Sequence, residues 1–224
     1  MSGIVVINSL NSSSGKTLLT AHLALVPAQT YKTAVMDSVG DNSLLALYIA
    51  KRYTYTLAHH SDLVLPRYHS LNKNILRETA DQYEVVFLDS PDETYFPLAD
   101  IFITLVSNSE DLRVLTEKNS PYASIIWQAK KARAAGGRNA FRWVVVPNGT
   151  FSEKDLADLS QSGKFLGFAV APSLTKRPEY QQGLASGITV LDKDLPEFKS
   201  SFGLPDFYAR RELKKIAEFI WQNR

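Results

Sequence analysis

The stretch IVVINSLNSSSGKTLLTAHLAL, from Ile4 to Leu25, decides the fold. A β-rich apolar run, Ile4 to Ile7, enters a polar tract that ends in Gly15-Lys16-Thr17. Leu18, Leu19, Ala21, Leu23 and Ala24 then recur at the spacing of a helix with one buried face. Strand, tight loop and helix are the frame that a phosphate needs. Backbone N–H groups of the loop and first turn point at the anion, and the helix N-terminus adds its partial positive charge. Lys16 brings a full charge and the Thr17 hydroxyl is placed to bind Mg²⁺. The match to the phosphate-loop pattern GxxxxGK[ST] is partial, because Leu10 stands at the first glycine. That departure bears on nucleotide affinity and leaves the fold alone. A Ser/Asn turn before an ordinary helix is the plainer alternative.

Downstream, Tyr31 to Asp37 (YKTAVMD) reads as a second strand ending on a carboxylate, and Asn42 to Lys51 as a helix, which completes a β-α-β unit. Residues 52–66 show no clean period and read as an irregular connection. His59 and His60 are adjacent there and so diverge, which suits surface or packed histidines better than metal ligands. Tyr68 to Asp81 reads as a helix. Glu84 to Asp89 (EVVFLD) is the kind of run buried on both faces of a parallel sheet, and its Asp89 ends a strand where ligands of such sheets bind.

Three further strands are expected at Asp100 to Val106, Phe141 to Pro147 and Phe165 to Ala171, with a short edge strand at Thr189 to Leu191. Helices are expected at Glu110 to Lys118, at Tyr122 to Ala135 before the stop Gly136-Gly137, at Tyr180 to Ser186 and at Pro205 to Gln222. Ser152 and Asp155 open another, SEKDLADLSQ, in the manner of a capping box. Strands alternate with helices, without hairpin signals or repeats. The expected architecture is α/β: a single domain over residues 1–224, a doubly wound, mostly parallel sheet with helices on both faces.

Composition narrows the function classes. With 224 residues and 45% apolar content the chain can bury a full α/β core. A balance of 25 basic and 23 acidic residues gives no global charge argument for nucleic acid, so any DNA contact must come from a local patch. The absence of cysteine excludes disulfides, thiolate metal sites and a cysteine nucleophile. No apolar run reaches the roughly 20 residues that span a bilayer, and Met1-Ser2-Gly3 leads directly into a strand, so a soluble, cytoplasmic protein is expected.

Six segments then occur in a telling order: NSSSGKT (Asn11 to Thr17), AVMD (Ala34 to Asp37), VVFLDSP (Val85 to Pro91), LADIFITLVSNSEDL (Leu98 to Leu112), VVVPNGT (Val144 to Thr150) and LGFAVAP (Leu166 to Pro172). In this order the chain resembles, over nearly its whole length, the ParA/MinD group of P-loop ATPases with a deviant Walker A motif. The resemblance implies ATP or ADP with Mg²⁺ as ligands. It implies a phosphate loop made of Asn11, Ser12, Ser13, Ser14, Gly15, Lys16, Thr17 and Leu18, with Thr17 and Asp89 at the metal and Lys16, Asp37 and Asp89 in the catalytic roles. Asn148 would face the adenine edge and Pro172 would flank the base. A nucleotide-dependent homodimer, an adaptor or DNA-binding partner protein and association with the nucleoid are implied as well.

The departures are as informative. The first lysine of the deviant motif, which in the family reaches the partner's phosphates, is Asn11 here and carries no charge. The second carboxylate of the switch I D-x-D is replaced by Val39, with Asp41 two residues further on, and the glycine that commonly follows the Walker B strand is absent from Asp89-Ser90-Pro91-Asp92-Glu93. Because phosphoryl transfer is catalysed mainly by positioning and charge stabilisation, weak or partner-dependent ATP hydrolysis is expected. Lys130, Lys131, Arg133 and Arg138 form one basic cluster, and Arg210, Arg211, Lys214 and Lys215 another along the last helix. Both are candidates for nonspecific DNA contact, against the alternative of a solvated helix face. The last helix also has the pattern of a basic amphipathic membrane-contacting helix, although Leu213, Ile216 and Ile220 at helical spacing favour core packing. The expected function is an ATP-binding switch for DNA or plasmid positioning in partition, stability or conjugation. The alternatives are a non-hydrolysing regulatory relative with a vestigial site and, more remotely, a small-molecule ligase of the dethiobiotin-synthetase kind.

Overall fold

The computed structural model describes residues 3–11, 14–59, 62–117, 119–194 and 203–221. The apolar runs become strands of one sheet because each is buried on both sides, which a parallel sheet requires. The strands are β1 (Gly3–Ser9), β2 (Thr33–Asp37), β3 (Arg67–Ser70), β4 (Val85–Asp89), β5 (Ile101–Val106), β6 (Arg142–Pro147) and β7 (Ala169–Val170). All seven are parallel, in the order β3-β2-β4-β1-β5-β6-β7. From β1 the chain winds outward to β2 and β3, returns to β4, then crosses β1 to β5 and continues to the other edge. That reversal at β1 opens a crevice at the carboxyl ends of the strands. In register, Asp37 and Asp89 face each other across β2 and β4, and Asp89 pairs with Ile7 of β1.

Period-two alternation sends successive side chains to two separate cores. Val5, Ile7, Val35 and Phe87 pack under α1 (Lys16–Leu23), α3 (Leu44–His59), α8 (Pro178–Ser186) and α9 (Leu204–Trp221). Val6, Met36, Leu88 and Phe102 pack under α4 (Lys73–Gln82), α5 (Ser109–Thr116), α6 (Pro121–Ala135) and α7 (Glu153–Leu166). A single turn, α2 (Leu25–Ala28), follows α1. On α9 the residues at helical spacing, Ala209, Leu213, Ile216, Ala217 and Ile220, are all buried, so this helix closes the sheet's flank as its period indicates. Gln222 and Lys118, expected at helix ends, lie outside the described residues, as does His60.

The expected caps are in place. Ser152 Oγ accepts from Asp155 N at 3.1 Å while Asp155 Oδ2 accepts from Ser152 N at 3.0 Å, a reciprocal box. At the C-terminal end of α6, Gly137 takes φ +72° after Gly136.

Four expectations need correction, each for a physical reason. Helix α3 continues to His59 instead of giving way to an irregular connection at 52. Its inward face there carries Arg52, fully buried, while Tyr53 and Leu57 point outward and are about half exposed or more, so the apolar period is inverted. Residues 67–70 form an edge strand, not the start of a helix: RYHS has little apolar content, and it is held by parallel pairing with Ala34 to Asp37. Helix α4 starts only after Asn72, whose side chain accepts from Asn74 N and Ile75 N at 3.1 and 2.9 Å. The strand expected over Phe165 to Ala171 shrinks to Ala169–Val170, because α7 runs on to Leu166 and stops at Gly167, φ +75°, whose N–H donates to Gly163 O at 2.8 Å. The edge strand expected at 189–191 is a 3₁₀ turn, Val190–Asp194, folded by Asp192 Oδ2 accepting from Thr189 N at 2.7 Å.

Candidate functional site: the phosphate loop at the carboxyl ends of β1 and β4

The loop after β1 is built around Gly15. Its φ of +90° lies in the region that favours glycine, and an added Cβ would sit 2.9 Å from Asn148 Nδ2. That amide donates to Ser14 O at 2.5 Å, so Asn148, at the end of β6, props the loop from below. The segment after β7 lies alongside: Gly149 N donates to Leu174 O at 2.9 Å and Leu174 N to Pro147 O at 2.7 Å. The segment that follows Pro172 is thereby tied to the end of β6, next to Asn148. Ser12 and Ser13 lie outside the described residues.

Helix α1 begins at Lys16 with no side-chain cap hydrogen bond, leaving its N-terminal N–H groups facing the loop. Lys16 Nζ donates to Ser9 Oγ at 3.0 Å, and Ser9 Oγ donates in turn to Asn11 O at 2.5 Å. Thr17 Oγ1 donates to Asp89 Oδ2 at 2.5 Å. Burial pushes the Asp89 carboxyl above its ordinary range, the Thr17 hydroxyl and Lys16 oppose the rise, and the charge of Asp37 adds to it. A hydroxyl and a buried carboxylate in contact are the oxygen donor set that Mg²⁺ takes alongside phosphate oxygens. Among the described residues no group of three or more His, Asp or Glu side chains is arranged to hold a metal. Ser14 Oγ is buried and has no hydrogen-bond partner among the described residues. An orphaned hydroxyl in a loop of this shape suits an anion acceptor.

Leu10 does not block the loop: it is half-buried against the core on the far face of the sheet. Asn11 Nδ2 donates to both oxygens of Asp111 at 2.9 Å and to Ser107 Oγ at 3.1 Å, tying position 11 to the start of α5. Asp37 is equally committed within its own loop. Its Oδ1 accepts from Val39 N at 2.9 Å, Gly40 N at 3.1 Å and Tyr68 OH at 3.2 Å, and its Oδ2 from Ser43 Oγ at 2.5 Å. Ser43 Oγ also accepts from Ala46 N at 2.9 Å, so one carboxylate shapes the switch loop and starts α3.

Beside Gly15, Lys16, Thr17 and Leu18 opens a cavity of 530 Å³, between α1, α3 and α8, with Leu47 and Leu184 among its apolar walls. Ser9, Ser107 and Asp111 escaped the sequence reading because nothing in their local pattern marks them. Only the pairing of β1 with β5 brings 107 and 111 to the loop.

In the first basic cluster Lys130 and Arg133 serve the fold, while Lys131 and Arg138 are exposed. Lys130 Nζ lies 5.4 Å from the Trp143 ring centroid and 5.6 Å from that of Phe141, and donates to Gly167 O at 3.1 Å. Arg133 is buried, pairing with Asp100 and holding Leu98 O at 3.1 Å. On α9, Arg211, Lys214 and Lys215 are exposed, next to exposed Leu204, Phe207 and Tyr208. No described helix is long and apolar enough to cross a membrane.

A parallel sheet with a lysine-bearing loop at its switch point, opposed by Asp89 on the next strand, defines a P-loop ATPase of the ParA/MinD kind. Residues 85–220, more than half of the chain, match the family model described as ATPase MipZ, and the chain belongs to that family. The match begins at β4, so it takes in Asp89 and Asn148 but not Lys16. No curated protein sequence matches the chain.

Among solved structures, apo McdA from Cyanothece is similar at 14% identity and TM-score 0.60, over 96% of this chain and 100% of that one. MinD from Aquifex aeolicus, in a MinC:MinD complex, is similar at 15% identity and TM-score 0.60, over 100% of this chain and 97% of that one. A putative plasmid partition protein from Borrelia burgdorferi bound to AMPPNP is similar at 11% identity and TM-score 0.57, over the whole of both chains. At these identities the likeness is one of fold.

Proposed function

We propose that this protein is an ATP-binding switch that positions DNA or a plasmid, with ATP hydrolysis that is weak or depends on a partner. The observation that carries the reading is the contact of Thr17 Oγ1 with Asp89 Oδ2 at 2.5 Å, made at a helix N-terminus with Lys16 alongside. Lys16 exchanges Ser9 for the β- and γ-phosphates, and backbone N–H groups from Ser14 to Leu18 take the phosphate oxygens. Thr17 and Asp89 would hold Mg²⁺, which would supply positive charge against the charge that develops on transfer. Asn148 and Pro172 flank the base, Asn148 with the amide oxygen left over from its bond to Ser14. Nucleotide binding in the crevice sets the switch loop through Asp37 and favours a homodimer, whose exposed surfaces meet an adaptor protein and, through the basic outer face of α9, DNA. The AMPPNP-bound partition protein of similar fold supports the class of ligand and of task.

Hydrolysis is weak because two groups are missing. Asn11 is uncharged and spent on Asp111, and Val39, 75% exposed, offers no carboxylate to an attacking water. Those same two departures favour the second reading, a regulatory or scaffold protein whose nucleotide site is vestigial. Thermal melts separate the two. Mg-ATP or Mg-ADP raises the melting temperature under the first reading and leaves it unchanged under the second. Turnover by the isolated protein at tens per second would contradict the weak hydrolysis, since kinase-like rates need every positioning group in place.

A further inference from the structure

We propose that Lys51, on α3, is a second cation for the terminal phosphate of the bound nucleotide, supplying from the same chain the positive charge that Asn11 lacks. The inference rests on the reading that the phosphate loop, which forms one wall of the cavity, holds a nucleotide. Lys16 and Lys51 are the cations lining that cavity, and no carboxylate among the described residues lines it. Gly15, Lys16, Thr17 and Leu18 belong both to the phosphate loop and to the wall of this 530 Å³ cavity, so the phosphate end of a nucleotide whose base lies by Asn148 and Pro172 meets its two ammonium groups.

The position of α3 says which end of the ligand Lys51 meets. Asp37 holds the loop that leads into α3, and Asp37 pairs in register with Asp89, which holds Thr17. Helix α3 therefore starts on the side of the carboxylates, where metal and terminal phosphate gather. Lys51 lies two turns beyond Leu44, roughly 10 Å along the axis at about 1.5 Å per residue, and its flexible four-carbon stem can lean back toward the loop.

The backbone at Lys51 is rigid while its head is not engaged. The next residue, Arg52, is fully buried and donates to Asp192, to Gly187 O at 3.0 Å and to Val64 O at 2.6 Å. Gly187 packs so closely that a Cβ there would lie 2.7 Å from the carbonyl carbon of Lys51. Lys51 itself is exposed and makes no hydrogen bond or ion pair among the described residues. A fixed backbone and an unengaged ammonium, open to a cavity without counter-charge, are what a docking anion can recruit.

The test is calorimetric titration of Mg-ATP and Mg-ADP, at low salt, into the full chain and its Lys51→Gln, Lys51→Arg, Lys51→Glu and Lys16→Ala variants. Lys51→Gln should weaken Mg-ATP about 10-fold and Mg-ADP by less than about 3-fold, the scale of one charge-assisted contact, and Lys51→Arg should stay within about 2-fold of wild type. Lys51→Glu should weaken Mg-ATP further than Lys51→Gln does. Because Lys51 is exposed, all three should melt at the wild-type temperature without nucleotide. Unchanged ATP affinity in Lys51→Gln, or equal losses for ATP and ADP, would overturn the proposal while leaving the nucleotide site standing. If the wild type binds neither nucleotide, or Lys16→Ala binds as well as it does, the underlying reading falls and this one with it.

Discussion

Gly15 meets two demands at once: a φ of +90°, and room so tight that a Cβ would lie 2.9 Å from the Asn148 amide. Gly15→Ala should destabilise the fold by about 1–3 kcal/mol, the range for a strained backbone conformation, and should abolish nucleotide-induced thermal stabilisation, which a pair of melts would show. His22 is a second residue whose chemistry is set by its surroundings. Fully buried on α1, it stays neutral because burial lowers its pKa from 6.5 to about 4, against the pull of the Leu18 carbonyl, to which Nδ1 lies at 2.7 Å. Asp192 favours the charged form and Arg52 disfavours it, while Tyr180 meets the ring edge-on at 5.6 Å. In the unfolded chain the same histidine protonates near pH 6.5, so folding stability is full above that value and falls as pH drops toward 4. The loss from this one group is about 3 kcal/mol. Denaturant melts across that range should show a shallower fall for His22→Met than for wild type. At this scale the sequence displayed Lys16, Thr17 and Asp89 plainly, because motif spacing carries them. It did not display Asp111, because a partner about a hundred residues away leaves no local trace.

Helix α3 joins the candidate site to the distal turn before α9. Its first turn is set by Asp37 through Ser43, and its middle is clamped by Arg52, whose guanidinium meets Asp192 at 2.6 and 2.7 Å with neither partner more than 8% exposed. Removing one member of such a pair strands the other charge in the interior. Arg52→Met should therefore lower stability by about 3–5 kcal/mol, and pairing it with Asp192→Leu should recover part of that loss; a double-mutant cycle by chemical denaturation measures both. The same arginine explains why the helix was hard to see in the sequence beyond Lys51. A buried charge on the core side and exposed Tyr53 and Leu57 on the other reverse the usual pattern. Strand β3 was hidden for a related reason. At the sheet's edge it is stabilised by backbone pairing with β2, so RYHS needs no apolar alternation. Helices with an ordinary amphipathic face, such as α9, and helices with capping residues, such as α7, were legible to within a residue or two at their starts.

The molecule as a whole places its chemistry where winding reverses. Seven parallel strands separate two cores, and the loop after the central β1 receives Asp89 from one neighbour, the Ser107–Asp111 support from the other side and Asn148 from β6. The alternation of apolar runs made this sheet readable from sequence, and the order of the segments made the family readable. The sequence left open which parts of the loop still serve a nucleotide. Three contacts support the proposed phosphate site with reduced catalysis: Leu10 packs on the far face of the sheet, Asn148 bonds Ser14 O, and position 11 is tied to Asp111. The decisive measurement is the affinity of the full chain for Mg-ATP, compared with that of Lys16→Ala, by calorimetric titration. Saturable binding that weakens by about 100-fold in the variant, the scale of a lost charge-assisted phosphate contact, is the predicted result. Equal affinities, or no binding by the wild type, would contradict it.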